Sequence, residues 1–427
     1  MSETPKNRIA EKHGEQRYQI QIQRDLTRNF IIHLGHGMLG QTGFRLLMAP
    51  TFLPAYIMLL SGGSELMVGI ALSVNALGMA LTPLIGANLI EHRKRVLPVG
   101  FLTGGAMRAS VLLIALSGFF LQSEAALVAI IACLLFFGLF QGMQGVIFNF
   151  LMSKVIPVSK RGRLTGLRNF LAGVTSAGVA WLGGHYFLGD DPTAVGYSWV
   201  FLLAFVLTSV GLALLLFIRE PEPPTVQRKQ NLLARLHDLP QLLRDDPAFT
   251  RYFLARSLAT MGRMAMPFYI LYAGQSLGLT GQLLGMVTFA FTLAGTVSNL
   301  VWGSIADRAG FRLVFLLSIA MWVIATLLLI FSSGVFLTVL VFIGIGAAVQ
   351  GFQNSSQNLT LEFGNRDDLP VRIAIANTAS EIAGTIGPLL GGLLAAYFGY
   401  LSVFICSIGF LVIGGAVVRF YVPEPRR

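Results

Sequence analysis

Charge is what this sequence has least of. Asp, Glu, Lys and Arg make up 12% of its 427 residues while 54% are hydrophobic, a balance that excludes a water-soluble chain of this size. Cysteine is nearly missing as well. Cys133 and Cys406 lie far apart in apolar runs, so no disulfide framework and no thiolate metal site is implied. No cluster of His and carboxylates has ligand spacing, no nucleophile motif occurs, and no glycine-rich loop is shaped to cradle phosphate. These absences argue against an enzyme, against a cofactor or metal, and against drive by ATP. The first 36 residues are polar and mixed in charge, without the short apolar core and small-residue cleavage site of a removable signal peptide.

What the chain has is twelve apolar runs, each long enough to cross about 30 Å of hydrocarbon. They fall at 37–60, 66–90, 97–121, 125–152, 166–188, 197–218, 249–273, 280–303, 313–331, 335–358, 373–398 and 400–421. Lipid offers backbone groups no partners, so each run is expected to be an α-helix, the first serving as the insertion signal. Basic residues gather on alternate connections. Lys6, Arg8, Lys12, Arg17, Arg24 and Arg28 precede the first run; Arg93, Lys94 and Arg95 follow the second; Lys160, Arg161 and Arg163 follow the fourth. Arg219, Arg228, Lys229, Arg235 and Arg244 follow the sixth, and Arg308, Arg312 and Arg366 continue the pattern, while "SGGSE", "QSE", "LGDDPTAVGY", "AGQSLGLTGQ" and "SSG" carry no Lys or Arg. The positive-inside rule then puts both termini in the cytoplasm of a multi-pass protein of the cytoplasmic (inner) membrane. The formal charge of +11 is spread over one membrane face, so it argues for a bilayer and not for nucleic acid.

The chain also repeats itself. "FQGMQGVIFN" at 140–149 shares with "VQGFQNSSQN" at 349–358 the order Gln, Gly, any residue, Gln, then four residues and Asn. Asn169 followed by Gly183 and Gly184 matches Asn377 followed by Gly391 and Gly392; Pro54 to Tyr56 matches Pro267 to Tyr269; Pro221, Glu222 and Pro223 match Pro423, Glu424 and Pro425. Two copies of a six-helix unit follow, related by an axis along the membrane normal. The expected organisation is an amino-terminal arm (1–36), a first bundle (37–220), a cytoplasmic linker (221–248) and a second bundle (249–427). The linker carries Leu232, Leu233, Leu236, Leu239, Leu242 and Leu243 among charges and suggests an amphipathic surface segment.

These features resemble the major facilitator superfamily: an all-α membrane protein of twelve transmembrane helices in two pseudo-symmetric bundles. In "GSIADRAGFR", Gly303, Asp307, Arg308, Gly310 and Arg312 match the family's loop motif. The counterpart "ANLIEHRKR" is degraded, with Ala87, Glu91 and Lys94 replacing glycine, aspartate and glycine around Arg93. "GTIGPLLGG" at 384–392 resembles the family's antiporter signature but lies on the eleventh run instead of the fifth, and "GLFQG" resembles a drug-antiporter motif with Gly138 in the place of its arginine. The resemblance implies alternating access around a central cavity. A carboxylate at a cytoplasmic helix end attracts a helix amino terminus of the other half, so Glu91, Arg93 and the 303–312 motif are expected to gate the inner mouth, with helix termination as the plain alternative.

The fourth and tenth helices line the cavity in the resembled family. Gln350, Gln353, Asn354 and Gln357 share one helical face and Gln141 and Gln144 share another, so they are expected to contact solute, or else to join helices. Glu381, about 13 Å into the eleventh helix, is the candidate proton carrier, or else a carboxylate held by an arginine. Arg45 and Arg263 sit on equivalent helices shortly before a matching Pro and Tyr, and guanidinium forks suit acidic groups. Arg108 is expected to pair within its own half and Arg256 to snorkel. The expected function is a secondary transporter of a small solute, coupled to protons, with a lean to an anionic metabolite. A drug or metabolite efflux antiporter and a non-transporting sensor or assembly factor are the alternatives.

Overall fold

A computed structural model describes residues 5–90, 92–223, 243–244, 246–363 and 369–423. Among the described residues there are helices and no strands. The first half contains α1 (Pro5–Leu47), α2 (Phe52–Leu60), α3 (Glu65–Leu81), α4 (Pro83–Ile90), α5 (Leu97–Phe120), α6 (Ser123–Val155), α7 (Val158–Gly183) and α8 (Ala194–Leu214). The second contains α9 (Pro247–Met261), α10 (Met266–Leu277), α11 (Gly281–Ala309), α12 (Phe311–Ile330), α13 (Val335–Leu361), α14 (Leu369–Phe398) and α15 (Tyr400–Tyr421). Every expected run is helical over most of its length; the first breaks at 48–51, between α1 and α2. The second is interrupted just before Pro83, which has no N–H to continue α3, and the seventh by a 3-10 turn, Gly262–Ala265, ahead of Pro267.

Ten helical units are long and apolar enough to cross a membrane. α7 and the α9–α10 pair are not among them, because Arg168, Asn169, Arg256 and Arg263 lie along them. Most of the linker, 224–242, with Arg228, Lys229, Arg235 and its leucines through Leu242, lies outside the described residues, as do Glu91 and Arg366.

The first helix differs from expectation. No polar arm stands apart from a span beginning at 37: α1 is continuous from Pro5. Ile22, Asp25, Asn29, His33 and His36 are buried along it at helical spacing. This stripe is mostly polar because it packs on helix ends. The Asn29 amide donates to Arg219 O and accepts from Arg219 N, both at 3.0 Å, while Arg28 Nε donates to Phe217 O at 2.9 Å. Arg219 pairs with Asp25 at 2.8 Å.

Helix neighbours repeat between the halves. α1 packs on α7 and α8, α3 on α6, and α5 on α6 and α8; in the second half α9 packs on α14 and α15, α11 on α13, and α12 on α13 and α15. The halves meet along two equivalent seams, α3 with α14 and α7 with α11. Both seams bring backbones together at glycine. A side chain added at Gly69 would stand 2.5 Å from Pro388 O, and one at Gly184 would overlap Gly281 O. Among the described residues, the hydrogen bonds that cross between halves are Thr51 with Thr288, Tyr400 Oη donating to Glu65, and Gly281 N donating to Gly189 O. The last two, like the glycine contacts at Gly69 and Gly184, lie toward the end with the Lys- and Arg-free loops. At the other end the ion pairs among the described residues each stay within one half.

The strongest of these pairs is Lys154 with Glu220, whose side chains are 6% and 4% exposed. Glu220 also accepts from Val96 N at 2.7 Å and Leu97 N at 2.9 Å, so it caps α5 while holding the end of α6. Asp246 does the same in the second half, accepting from Phe249 N at 3.0 Å and pairing with Arg372 at 2.6 Å.

Two outcomes follow from this packing. Glu220→Gln strands a buried ammonium and is expected to cost about 3–5 kcal/mol, read as a fall in unfolding temperature in detergent. Gly69→Leu overpacks the seam by about 1–3 kcal/mol. It should shift the equilibrium roughly 5–150-fold toward opening at that end, read as faster labelling of a cysteine placed at Thr51.

Candidate substrate cavity

The polar residues of the span interiors divide into those that join helices and those left facing open space. Arg45 lies 20 residues past Asp25 on α1, about 30 Å along the helix, too deep for its side chain to reach water at that end. Its Nη2 donates to Gln41 Oε1 at 3.3 Å, and Gln41 in turn donates to Asn169 Oδ1 at 3.1 Å. In the second half Arg256 donates to Thr360 Oγ1 at 2.9 Å and to Asn377 Oδ1 at 3.4 Å. The repeated asparagines, Asn169 and Asn377, are thus held by the first helical unit of their own bundle. Arg256 does not snorkel; it is 5% exposed and bonded inside the bundle. Arg108 is buried too, donating to Thr208 O at 2.7 Å and Gly104 O at 2.8 Å beneath the Phe44 ring.

Arg263 behaves differently. Gly262, Met264 and Ala265 in its turn are buried, yet Arg263 is exposed, so its side chain leaves the packed helices for the space beside them. Glu381, half-buried on α14, lies within electrostatic reach of it. Two residues assigned separate roles on sequence grounds therefore lie near enough to influence each other.

The repeated Gln-Gly pattern resolves into packing and polar parts. Gly142 and Gly351 let α6 and α13 close on neighbours: a side chain there would stand 2.6 Å from Met79 O and 2.7 Å from Trp302 Cε2. Gln144 accepts from Thr103 Oγ1 at 2.8 Å and donates to Gly100 O at 3.2 Å, which binds α6 to α5. Gln350 donates to Asn354 at 3.2 Å, and Asn354 donates to Asn299 of α11. Gln353 is half-buried and Gln357 exposed; neither makes a hydrogen bond among the described residues, and Gln141 Oε1 is buried without a partner. Gly138 lies so close to Asn75 O that a side chain there would overlap it, which explains why no arginine occupies that place.

At the motif of α11, Gly310 adopts φ 85° and donates to Ala306 O at 2.9 Å, ending the helix. Arg312 donates to Val418 O at 3.2 Å and Arg419 O at 2.6 Å, capping α15 in its own half. Gly303, Asp307, Arg308 and Arg93 are exposed. Asp307 has no hydrogen bond or ion pair among the described residues.

Gln144→Leu removes the bonds to Thr103 and Gly100 that join α6 to α5, while Thr103 keeps its bond to Val99 O, and should cost about 0.5–1.5 kcal/mol in unfolding. Gln353→Leu should stay within about 0.5 kcal/mol of wild type while lowering transport, and a cysteine at 353 should label from water; protection there would remove Gln353 from the cavity.

A family model described as Major Facilitator Superfamily matches residues 37–270 and 252–427. The multidrug resistance protein MdtG of Serratia proteamaculans (strain 568) is 31% identical over 168 residues, which span 38% of this chain and only 40% of that protein. The fold is similar to the crystal structure of the nucleoside transporter NupG, with a TM-score of 0.72 at 13% identity over 91% of this chain and 99% of that one. It is similar also to a bacterial homologue of the iron transporter ferroportin in an inward-facing state, with a TM-score of 0.68 at 12% identity over 92% and 98%.

Proposed function

We propose, because the chain belongs to the Major Facilitator Superfamily, that it carries a small anionic metabolite across the cytoplasmic membrane by alternating access, with protons as the coupling ion. The observation that carries this reading is a pair of arginines on equivalent helices, each with most of its guanidinium donors unengaged by protein. Arg45 has Gln41 as its hydrogen-bond partner, and Arg263 has only the attraction of Glu381 nearby. An arginine in hydrocarbon costs at least about 2.5–3.5 kcal/mol. An acidic group held by the forks offsets that cost. Gln141, Gln353 and Gln357 supply neutral donors and acceptors on the flanking helices, while Gln144, Gln350 and Asn354 hold those helices in place.

With both termini cytoplasmic, the glycine seams close the outer side and the cavity faces inward. Asp307, unpaired in this conformation, then awaits a helix amino terminus of the other half when the inner side closes, with Gly303, Arg308, Gly310 and Arg312 shaping its turn and Glu91 and Arg93 as the first-half counterpart. Glu381 couples the cycle: as a carboxylate it occupies Arg263, and on taking a proton it releases Arg263 to the solute.

A drug or metabolite efflux antiporter is the second reading, supported by the multidrug resistance protein among the relatives. A sensor on this fold transports nothing. Flux of labelled organic anions and of lipophilic cations into sealed vesicles, with and without a proton gradient, separates the three. We expect anion flux that rises with the gradient. Glu381→Gln should lower gradient-driven flux while sparing counterflow exchange. Cation flux unaffected by Arg45→Lys and Arg263→Lys would establish the second reading instead, and equal loss of both flux modes in Glu381→Gln would give Glu381 a structural role.

A further inference from the structure

Arg168 was not among the residues singled out in the sequence, yet it lies within electrostatic reach of Arg45. It lies on α7, ten residues after Val158. Its stem crosses α1 at Gly37 so closely that a methyl group on Gly37 would overlap Arg168 Cδ and Cγ. Its guanidinium carbon is 5.5 Å from the centre of the Phe148 ring on α6. Three helices thus fix this side chain, and glycine at 37 is what lets it lie there.

Having been fixed, it is left without a partner. Arg168 Nε is buried and makes no hydrogen bond, and among the described residues no Asp or Glu bonds to Arg168 or to Arg45. The groups that face Arg168 are cationic or neutral. Arg45 is within electrostatic reach, and so are His33 and His36, which pack on the same Phe148 ring at 5.3 and 4.8 Å. His33 is fully buried with both ring nitrogens unbonded. Among the described carboxylates of this half, Asp25 and Glu220 are engaged at one end and Glu65 at the other. Two neighbouring guanidinium groups repel each other in a medium of low dielectric, and the second half offers the contrast, since Arg263 has Glu381 to offset it.

We propose that Arg45 and Arg168 together clamp the acidic group of the solute from the first half, and that this group carries two negative charges, as a phosphate monoester or phosphonate does. The inference rests on the anionic reading above and assigns the main anion contact to the first bundle. Two forks around one tetrahedral dianion satisfy both cations at once, whereas a monocarboxylate leaves one charge over.

The test uses the purified full chain in lipid nanodiscs, with inorganic phosphate, methylphosphonate and butyrate as probes in calorimetric titrations. Phosphate and methylphosphonate should bind more tightly than butyrate. Arg168→Gln should weaken them roughly ten- to 150-fold, the loss expected for a hydrogen bond to a charged group. Arg168→Lys should recover part of that loss. Gly37→Ala, which displaces Arg168 without removing its charge, should weaken both dianions as well. Phosphate should also shield Arg45 and Arg168 of the unsubstituted protein from phenylglyoxal, mapped by mass spectrometry, so the outcome does not depend on any variant folding. Dianion binding unchanged in Arg168→Gln, with no shielding of Arg168, overturns the clamp while leaving the anionic reading intact. Tighter binding of butyrate overturns the charge assignment. No binding by any of the three probes overturns both the clamp and the anionic reading.

Discussion

A bundle that lies in lipid must satisfy its polar groups from within, and this requirement sorts nearly every polar side chain in the chain. The hydroxyls of Thr103, Ser117, Thr175, Ser318 and Ser355 bond back to carbonyls three or four residues earlier. Gln144, Asn354, Asn299 and Arg256 bond across to neighbouring helices. Each such contact adds about 0.6 kcal/mol, but leaving the group unpaired costs more, so the pairs act chiefly to fix which helices touch and in what register. Among the described residues, the groups that remain include most of the donors of Arg45, Arg168 and Arg263, the Gln141 oxygen and the amides of Gln353 and Gln357, together with buried atoms of His33, Ser73 and Asn75.

Glycine does the complementary work. Within each bundle Gly142 and Gly351 let equivalent helices close on their neighbours, and between bundles Gly69, Gly392, Gly184 and Gly281 bring backbones into contact at two equivalent seams. Contacts of this kind are either fully made or lost, because an added carbon has no room. Separating the halves breaks the Thr51–Thr288, Tyr400–Glu65 and Gly281–Gly189 hydrogen bonds but, among the described residues, no ion pair. The charged contacts that cannot part cheaply, Lys154 with Glu220 and Asp246 with Arg372, are kept inside single bundles. The division fits two rigid bodies that rock against each other.

Much of this was legible in the sequence, for reasons that differ from residue to residue. The apolar runs declare themselves because lipid tolerates little else, and the repeats declare the two bundles because Asn169 and Asn377 are held alike. The start of α1 was hidden, since its buried stripe is Asp25, Asn29, His33 and His36, and no apolar periodicity marks a helix that packs on carbonyls and arginines. The amides could be placed on a helical face but not assigned to one neighbour, because the same residue type suits a solute and an adjacent helix; Gln144 and Gln353, which occupy the same position of the repeated pattern, fall on the two sides of that line. Arg168 escaped notice for a simpler reason. It follows Lys160, Arg161 and Arg163, and composition cannot separate a cation that marks a loop from one that has turned inward.

That inward turn gives the two halves unequal electrostatics. Repeats that arose as copies need not keep the same charges, and here the first bundle presents Arg45 and Arg168 with no carboxylate bonded to either, while the second opposes Arg263 with Glu381. A solute anion approaching from the cytoplasmic side would meet the larger uncompensated field in the first bundle, and would reach Arg263 only by displacing or neutralising Glu381. On the proposed reading, binding in the first bundle and proton uptake in the second would then be separate events joined through one ligand.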